Sequence, residues 1–348
     1  MEVTTSVDVT EPTDVASARR AATACARGMG FAEADVGRVA LAATEAATNL
    51  VKHAGGGTLL VGAANGTGEG ANAVDLVAVD RGPGMVDVDA CLVDGYSTAG
   101  SPGTGLGALQ RISTLFDCYS RPGRGTVVLS RIAPGQTADQ PRQHFVEGGV
   151  SIPYPGELVC GDDWAVRFDH TAMTVVVCDG LGHGPSAAEA ARAATTVLAG
   201  NGDRGPSELV ALMHDALRHT RGGAAAVARI DAEAARVRYC GVGNISGTIV
   251  DGSRVRHLVS HNGTLGHEAR RIHEFVYDWP QDALLVLHSD GIATRWRLHE
   301  YAGLAARHPS VIAGVLYRDF RRGRDDATAV VVKRAANGDR SHGSDTLD

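Results

Sequence analysis

The decapeptide VVVCDGLGHG, residues 175–184, begins as an apolar run and stops at an acid, Asp179, with three glycines and His183 in the next five positions. β-branched residues closed by Asp-Gly read as a buried strand ending in a tight turn, and most acids in that place only shape the turn. This chain repeats the device. GDDW (161–164) places Asp162 and Asp163 after LVC, LLVLHSDG (284–291) ends its strand at Asp290, and RDDATAVVV (324–332) starts a strand at Asp325 and Asp326. Carboxylates at strand ends can converge on one edge of a sandwich, where they repel one another unless a cation holds them. Oxygen-only donors suit magnesium or manganese rather than zinc, which favours His and Cys. His183 receives no role from this pattern.

Working outward, strands are expected at 158–168, 174–179, 224–231, 236–241, 246–250, 283–289 and 328–333, and helices at 186–198, 207–219 and 310–319. Many antiparallel strands with a few long helices predict two sheets packed together with helices outside. Upstream, helices are expected at 13–27 and 33–53 and strands at 58–64, 73–80, 116–120 and 126–132. Together they make a meander with its helices on one face. Between the halves, APGQTADQPR (133–142) has no apolar period and two prolines, which marks a linker. The tail from Ala335 is polar and too poor in apolar residues to order itself. The expected domains are therefore 1–132 and 143–334, with the linker at 133–142 and a disordered tail at 335–348.

The first half has its own constellation. In LAATEAATNLVKHA (41–54), Glu45, Asn49 and His53 recur every four residues and share one face of a helix, a pattern that a solvated polar stripe also gives. AVDLVAVDRGPGM (73–85) again ends a strand in an acid, Asp80, with Gly82 and Gly84 behind it. GTGLG (103–107) opens the next helix, where glycines let backbone amides approach phosphates. The segment before GTGLG is an irregular GYSTAGSP loop rather than a strand, so a Rossmann reading fails.

Composition narrows the classes. With 348 residues the chain suits two domains, and 44% hydrophobic with 21% charged residues is ordinary for a globular protein. A formal net charge of -7 argues against a general nucleic-acid or membrane-surface binder. No apolar run is long enough for a membrane span and the N-terminus lacks signal-peptide order, so a cytoplasmic location is expected. Six cysteines without a CxxC pair fit a reducing compartment, and with Lys52 and Lys333 the only lysines there is no P-loop GK[ST].

The four acid motifs, in this order and at these separations, resemble the SpoIIE/RsbX group of PPM-type metal-dependent Ser/Thr phosphatases over roughly residues 143–334. The resemblance implies an αββα sandwich in which Asp179 bridges two Mg2+ or Mn2+ ions. The Gly180 carbonyl and Asp162 would serve one ion and Asp290 and Asp325 the other, with the choice between Asp162 and Asp163 open, and Asp326 would orient Asp325 or replace it. Two such ions would activate water for in-line attack on phosphorus, without a protein nucleophile.

Helix acid and amide, then DxGxG, then GTGLG, resemble the ATP-binding α/β sandwich shared by histidine kinases, gyrase-type ATPases and anti-sigma factors. More narrowly they resemble the RsbT-type switch kinases, over about residues 1–132. By that resemblance Asn49 would bind magnesium, Asp80 would accept the adenine amino group, and Gly82 and Gly84 would line base and sugar. Gly103, Thr104, Gly105, Leu106 and Gly107 would lie against the phosphates. Glu45 would be the general base toward a substrate serine or threonine, with Lys52 and His53 assisting. The whole chain is thus expected to be an α+β, two-domain partner-switching regulator using ATP with one ion. Its expected partner is a phosphorylated STAS-domain antagonist or related regulator, or a sigma factor. Two rival readings stand beside it: an N-terminal half that binds ATP and captures a regulator without phosphoryl transfer, and a scaffold with both sites inert.

Overall fold

The computed structural model describes residues 5–65, 72–92, 105–135, 144–169 and 171–335. Most of the expected linker, the tail beyond Ala335, and the loop carrying Gly103 and Thr104 lie outside them.

The N-terminal part runs β1 (Thr5–Val9), α1 (Asp14–Gly28), α2 (Glu33–Asn49), β2 (Gly57–Asn65), β3 (Asn72–Val79), α3 (Val88–Leu92), α4 (Gly105–Ile112), β4 (Leu115–Arg121) and β5 (Gly125–Ile132). The sheet order is β1-β2-β3-β5-β4, every pair antiparallel. The expected meander therefore fails at one place: β3 pairs with β5, not β4, and α4 makes the crossover. Side chains alternate across the sheet with period two. Leu59, Val61, Leu76 and Ala78 pack with α1 and α2, while Leu60, Val77, Val79, Val127 and Leu129 enter a different core on the opposite face. Both faces are buried. Near-continuous apolar runs such as TLLV and TVVL are what a doubly covered sheet requires.

The C-terminal part runs β6 (Phe145–Ile152), β7 (Asp162–Asp169), β8 (Ala172–Gly180), α5 (Pro185–Gly200), α6 (Pro206–Ala216), β9 (Gly223–Asp231), β10 (Arg236–Val242), β11 (Ser246–Asp251), β12 (Arg254–His257), β13 (Ser260–His261), β14 (Phe275–Asp278), β15 (Leu284–His288), α7 (Pro309–Phe320) and β16 (Ala327–Arg334). One sheet has the order β13-β10-β9-β8-β7, with β14 on β10, and the other β12-β11-β15-β16-β6. Their inner faces meet over Met173, Val175, Tyr239, Leu285 and Val330, while α5 and α6 cover the outer face of the first sheet. The expected sandwich is present. Two details differ from the sequence reading. Strand β7 starts at Asp162, not Leu158, because Pro153, Pro155 and Gly156 spend the preceding residues in turns. Strand β6 was not anticipated because its Gly-Gly pair reads as a breaker. A side chain at Gly148 would collide with Ser310, and one at Gly149 would reach 3.0 Å from the Trp164 ring, so the glycines serve close packing.

Helix α7 decides how the halves meet. Every residue from Pro309 to Arg318 is buried. A helix apolar on all sides belongs in a core rather than at a surface. On one side it packs against β6 and β16, on the other against β3 and β5, in one continuous cluster that includes Leu60, Val79, Val127, Val150, Val286, Ile312 and Leu316. Gly314 permits the approach: a Cβ there would stand 2.8 Å from Val127 and 3.2 Å from Val77. Full burial of side chains such as Val311, Ile312, Val315 and Leu316 contributes about 1.5–3 kcal/mol each, so exposing one face of α7 would be costly. The layers run α1/α2, N-terminal sheet, α7, second sheet, first sheet, α5/α6.

Polar groups line the same joint. Arg131 donates to both oxygens of its cross-strand partner Asp75, at 2.6 and 2.8 Å. Glu147 of β6 is buried beside them, around a cavity of about 30 Å³ lined also by Trp164. Burial pushes the Glu147 carboxyl up to about 7, with Arg131 offsetting part of the effect. At the β4 edge, the His308 amide donates to Asp117 at 2.5 Å and Arg121 donates to the Glu300 carbonyl at 2.8 Å.

Candidate functional site

Pairing register sorts the acids of the C-terminal part. Asp162 lies opposite Asp179, and Asp163 opposite Cys178. Directly opposed residues share a face of the sheet, and consecutive residues take opposite faces. Asp163 therefore turns to the helices, where Thr195 of α5 donates to it at 2.6 Å. Asp162 turns to the facing sheet, where it accepts 2.6 Å from the Ser289 hydroxyl, which in turn accepts from the Thr328 amide at 3.0 Å. Asp290 follows β15, and Asp325 and Asp326 precede β16, next door in the same sheet. Asp179, Asp290 and Asp325 remain partly open to solvent, while Asp162 and Asp326 are buried.

These carboxylates feel one another. Burial raises Asp179 to about 7, with Asp290 and Asp325 adding repulsion against the Asn244 amide. Asp162 is raised well above the carboxylate range by burial and then by Asp179, so the two strands share their proton load. Asp325 and Asp326 are raised as well, burial first. Asn244, in the turn between β10 and β11, donates to Asp179 at 3.2 Å and to Asp290 at 3.0 Å. Among the described residues, no three acids stand close enough as they lie to share one ion.

The second member of the 325–326 pair is not equivalent to the first. Asp326 accepts from the Tyr154 amide at 2.8 Å, while its other oxygen is buried without a hydrogen-bond partner among the described residues. Asp325 accepts from the Asp326 amide at 2.9 Å. The glycines of the opening decapeptide have separate reasons. A side chain on Gly180 would run into the Ala187 carbonyl, and Gly182 and Gly184 have φ of +88° and +76°. His183 stacks on Tyr154 with centroids 4.5 Å apart, and its Nδ1 lies 2.8 Å from a Glu157 carboxylate oxygen. It fastens the glycine turn to the segment before β7. Sequence reasoning missed Asn244, Ser289 and Glu157. The first had a usable signal, a Gly-Asn turn at the end of a strand adjoining β8's neighbour; the others had none.

In the N-terminal part, α2 carries Glu45 and Asn49, both half-buried. At Leu50 the α-helix widens into a π turn through Ala54, so His53 leaves the shared face that a regular helix would give it and stands exposed with Lys52. Asp80 follows β3. Its Oδ1 accepts the Gly82 amide at 2.8 Å and the Thr126 amide at 3.1 Å. Burial raises the Asp80 carboxyl, and the two amides and Arg318 of α7 oppose that. Gly105 opens α4, and a Cβ there would stand 2.5 Å from Asn49 Oδ1, so glycine lets the helix start close over Asn49. Leu106 is half-buried against the N-terminal core and Gly107 is buried. Gly82 is pressed on Ala54 and Gly84 on the Arg121 carbonyl, so packing alone would demand both.

The histidine kinase-like ATPase domain model matches residues 9–131. The serine/threonine-protein kinase RsbT of Bacillus subtilis (strain 168) is 32% identical over 115 residues, 33% of this chain and 85% of that protein. The chain belongs to the RsbT family of histidine kinase-like ATPase domains. Joined to that RsbT-like domain is a SpoIIE phosphatase domain: the model described as stage II sporulation protein E matches residues 169–335. The phosphoserine phosphatase RsbX of Bacillus subtilis (strain 168) is 22% identical over 138 residues, 39% of this chain and 69% of that protein. A crystal structure of RsbX in complex with magnesium superposes with a TM-score of 0.50 at 18% identity, covering 56% of this chain and 98% of that one, which bears on fold alone. The SpoIIE match begins at Asp169, downstream of β6 and most of β7, which complete its two sheets.

A thiol route to phosphate has no support beside the acids. Cys118, with Arg124 six positions on, is buried in β4, and burial pushes its thiol up to about 12.

Proposed function

We propose that the SpoIIE domain removes phosphate from serine or threonine of a partner protein through two Mg2+ or Mn2+ ions. Asp179 with the Gly180 carbonyl and Asp162 would hold one ion, and Asp179 with Asp290 and Asp325 the other. The observation that carries this reading is the gathering of Asp162, Asp179, Asp290 and Asp325 at strand ends on one edge of the sandwich, where burial first and neighbouring acids second raise Asp162, Asp179 and Asp325, a charge balance that a bound cation would suit. All donors are oxygen, which suits these ions. Bound there, the ions supply a Lewis acid for the phosphoryl oxygens and an activated water. The chain's own contribution is positional. Ser289 fixes Asp162, Asp326 holds the Tyr154 segment, and His183 with Glu157 steadies the glycine turn. Gathering the acids would require Asn244 to release Asp179 and Asp290.

The RsbT-like domain, in the same proposal, binds Mg·ATP and phosphorylates a serine or threonine of a STAS-domain regulator. Asp80 Oδ1 is taken by two amides, and Oδ2, which accepts from no described residue, would receive the adenine amino group. Asn49 would hold the ion and Glu45 would take the hydroxyl proton. Lys52 and His53 are less suited to assist, being exposed beyond the π turn. Gly82 and Gly84, set against protein backbone, would shape the pocket rather than line base and sugar directly.

The phosphatase reading is tested by Asp179→Ala: manganese-dependent hydrolysis of a phosphoserine protein should fall at least about 100-fold, and unchanged hydrolysis would refute the site. The kinase reading is tested with γ-labelled ATP and candidate STAS proteins. Stoichiometric binding without label transfer would replace it with ATP-dependent capture.

A further inference from the structure

We propose that Glu147 of β6, set against the Asp75–Arg131 pair of the N-terminal sheet, is a proton-operated latch on the joint between the halves: the neutral carboxyl keeps them seated and the carboxylate loosens them. The proposal is independent of both activities and concerns only how the two domains are held together.

The joint gathers polar groups from both sides. Asp75 of β3 and Arg131 of β5 belong to the N-terminal sheet, Glu147 of β6 and Trp164 of β7 to the second half, and all four line one cavity of about 30 Å³. Arg131 gives Nε to one Asp75 oxygen at 2.6 Å and Nη2 to the other at 2.8 Å, and the Ser310 hydroxyl of α7 adds a longer contact to Asp75 at 3.4 Å. The guanidinium is thus committed to Asp75, and Glu147, 5% exposed, has no ion pair of its own among the described residues.

No other group facing Glu147 supplies a countercharge. On β16, Lys333 is spent on the carbonyls of Ala306 and Arg307. On α7, His308 accepts the Ser310 amide through Nδ1, and burial pushes its imidazole down to about 3, so it stays neutral. The residues that β2 and β7 bring to the cavity, Gly62, Ala63, Ala64, Trp164 and Val166, carry no charge.

With Glu147 protonated, the three charged positions sum to zero. Ionised, they leave one negative charge buried without a partner, which a closed interior tolerates poorly. At about 10–15 Å³ per water, the cavity has room for about two waters, too few to solvate a carboxylate as bulk water does. Because it is lined from both halves, it widens when the N-terminal sheet draws away from β6. Burial pushes the Glu147 carboxyl from an ordinary 4.5 up to about 7, with Arg131 offsetting part of the rise. The seated joint is therefore fully favoured below about pH 4.5, and its advantage is lost as pH rises to about 7.

The test is amide hydrogen exchange of the intact chain from pH 5 to pH 8, corrected for chemical exchange and read on residues 309–320 of α7, the helix that both halves share. Protection should fall about tenfold between pH 6 and pH 8 and level off above about pH 7. Glu147→Gln should hold a flat profile and exceed the parent's protection at pH 8. Asp75→Asn, which frees Arg131 to meet Glu147, should bring the levelling-off about one pH unit lower. Matching pH profiles in the parent and Glu147→Gln would overturn the latch. Should Glu147→Gln not fold, a levelling-off unmoved by Asp75→Asn would overturn it, and a parent profile flat from pH 5 to pH 8 would do so without either variant.

Discussion

Asp80 and Asp179 are written alike, each an acid that closes an apolar strand and is followed by glycines, yet the fold gives them opposite surroundings. Asp80 receives two backbone amides on one oxygen and the field of a buried arginine, which offset part of the burial that raises its carboxyl. Asp179 receives one side-chain amide, shared with Asp290, and faces acids across the strand and on both neighbouring turns. The first is surrounded by hydrogen-bond donors and keeps an oxygen free to accept; the second is surrounded by acids and suits a cation. A strand-end acid thus acquires its chemistry from what the pairing register sets opposite it. Glu147 is a third case, a buried acid at the joint between the halves with Arg131 beside it.

The contrast can be broken most forcefully at Asp179. Asp179→Asn should lower manganese-dependent phosphatase turnover about 100-fold or more while raising the melting temperature of the metal-free chain, since it removes a repelled carboxylate. A metal-free variant no more stable than the parent would mean that the acids do not strain the fold. Glu147→Gln comes next. Its carboxyl is held above its ordinary value, so the stability it allows is full below about pH 4.5 and is lost as pH rises through about 7. The variant and parent should therefore unfold alike near pH 4.5, and at pH 8 the variant should be more stable by up to about 3 kcal/mol in urea titrations. A parallel pH dependence in both chains would show that water reaches the cavity.

At Asp80, Asn keeps one carbonyl oxygen for the two amides but replaces the ligand acceptor with a donor. Nucleotide affinity should drop about 10-fold to 100-fold, with nucleotide-free phosphatase activity intact. The smallest effect is expected at Asn244. Asn244→Ala removes an amide that competes with metal for Asp179 and Asp290 but also steadies them, and the metal concentration for half-maximal hydrolysis should move about threefold. A change matching that of Asp179→Asn would promote Asn244 from a bridge to a ligand.

Much of the candidate site was legible in the chain. The acid-glycine punctuation at 162, 179, 290 and 325, the helix spacing of Glu45 and Asn49, and the DxGxG stretch all depend on short windows, where residue type and period carry the information. Strand β6 and the π turn at Leu50 were not legible, because Gly148 and Gly149 are explained only by α7 and Trp164, and because nothing in LVKHA distinguishes an i+5 turn from an i+4 one. The β3–β5 pairing escaped for a related reason, since strand order is a long-range choice that local pattern leaves undetermined.

The sequence by itself determined two α+β halves, a set of strand-end oxygen donors and the glycines that follow Asp80 and open α4, since apolar period and turn chemistry act between residues a few positions apart. Only the tertiary structure decided that Asp162 rather than Asp163 faces Asp179, that Asn244 stands between two acids, and that α7 serves both halves at once. Those outcomes depend on register and on packing between residues from tens to hundreds of positions apart, where the same local patterns are compatible with many arrangements and burial selects one.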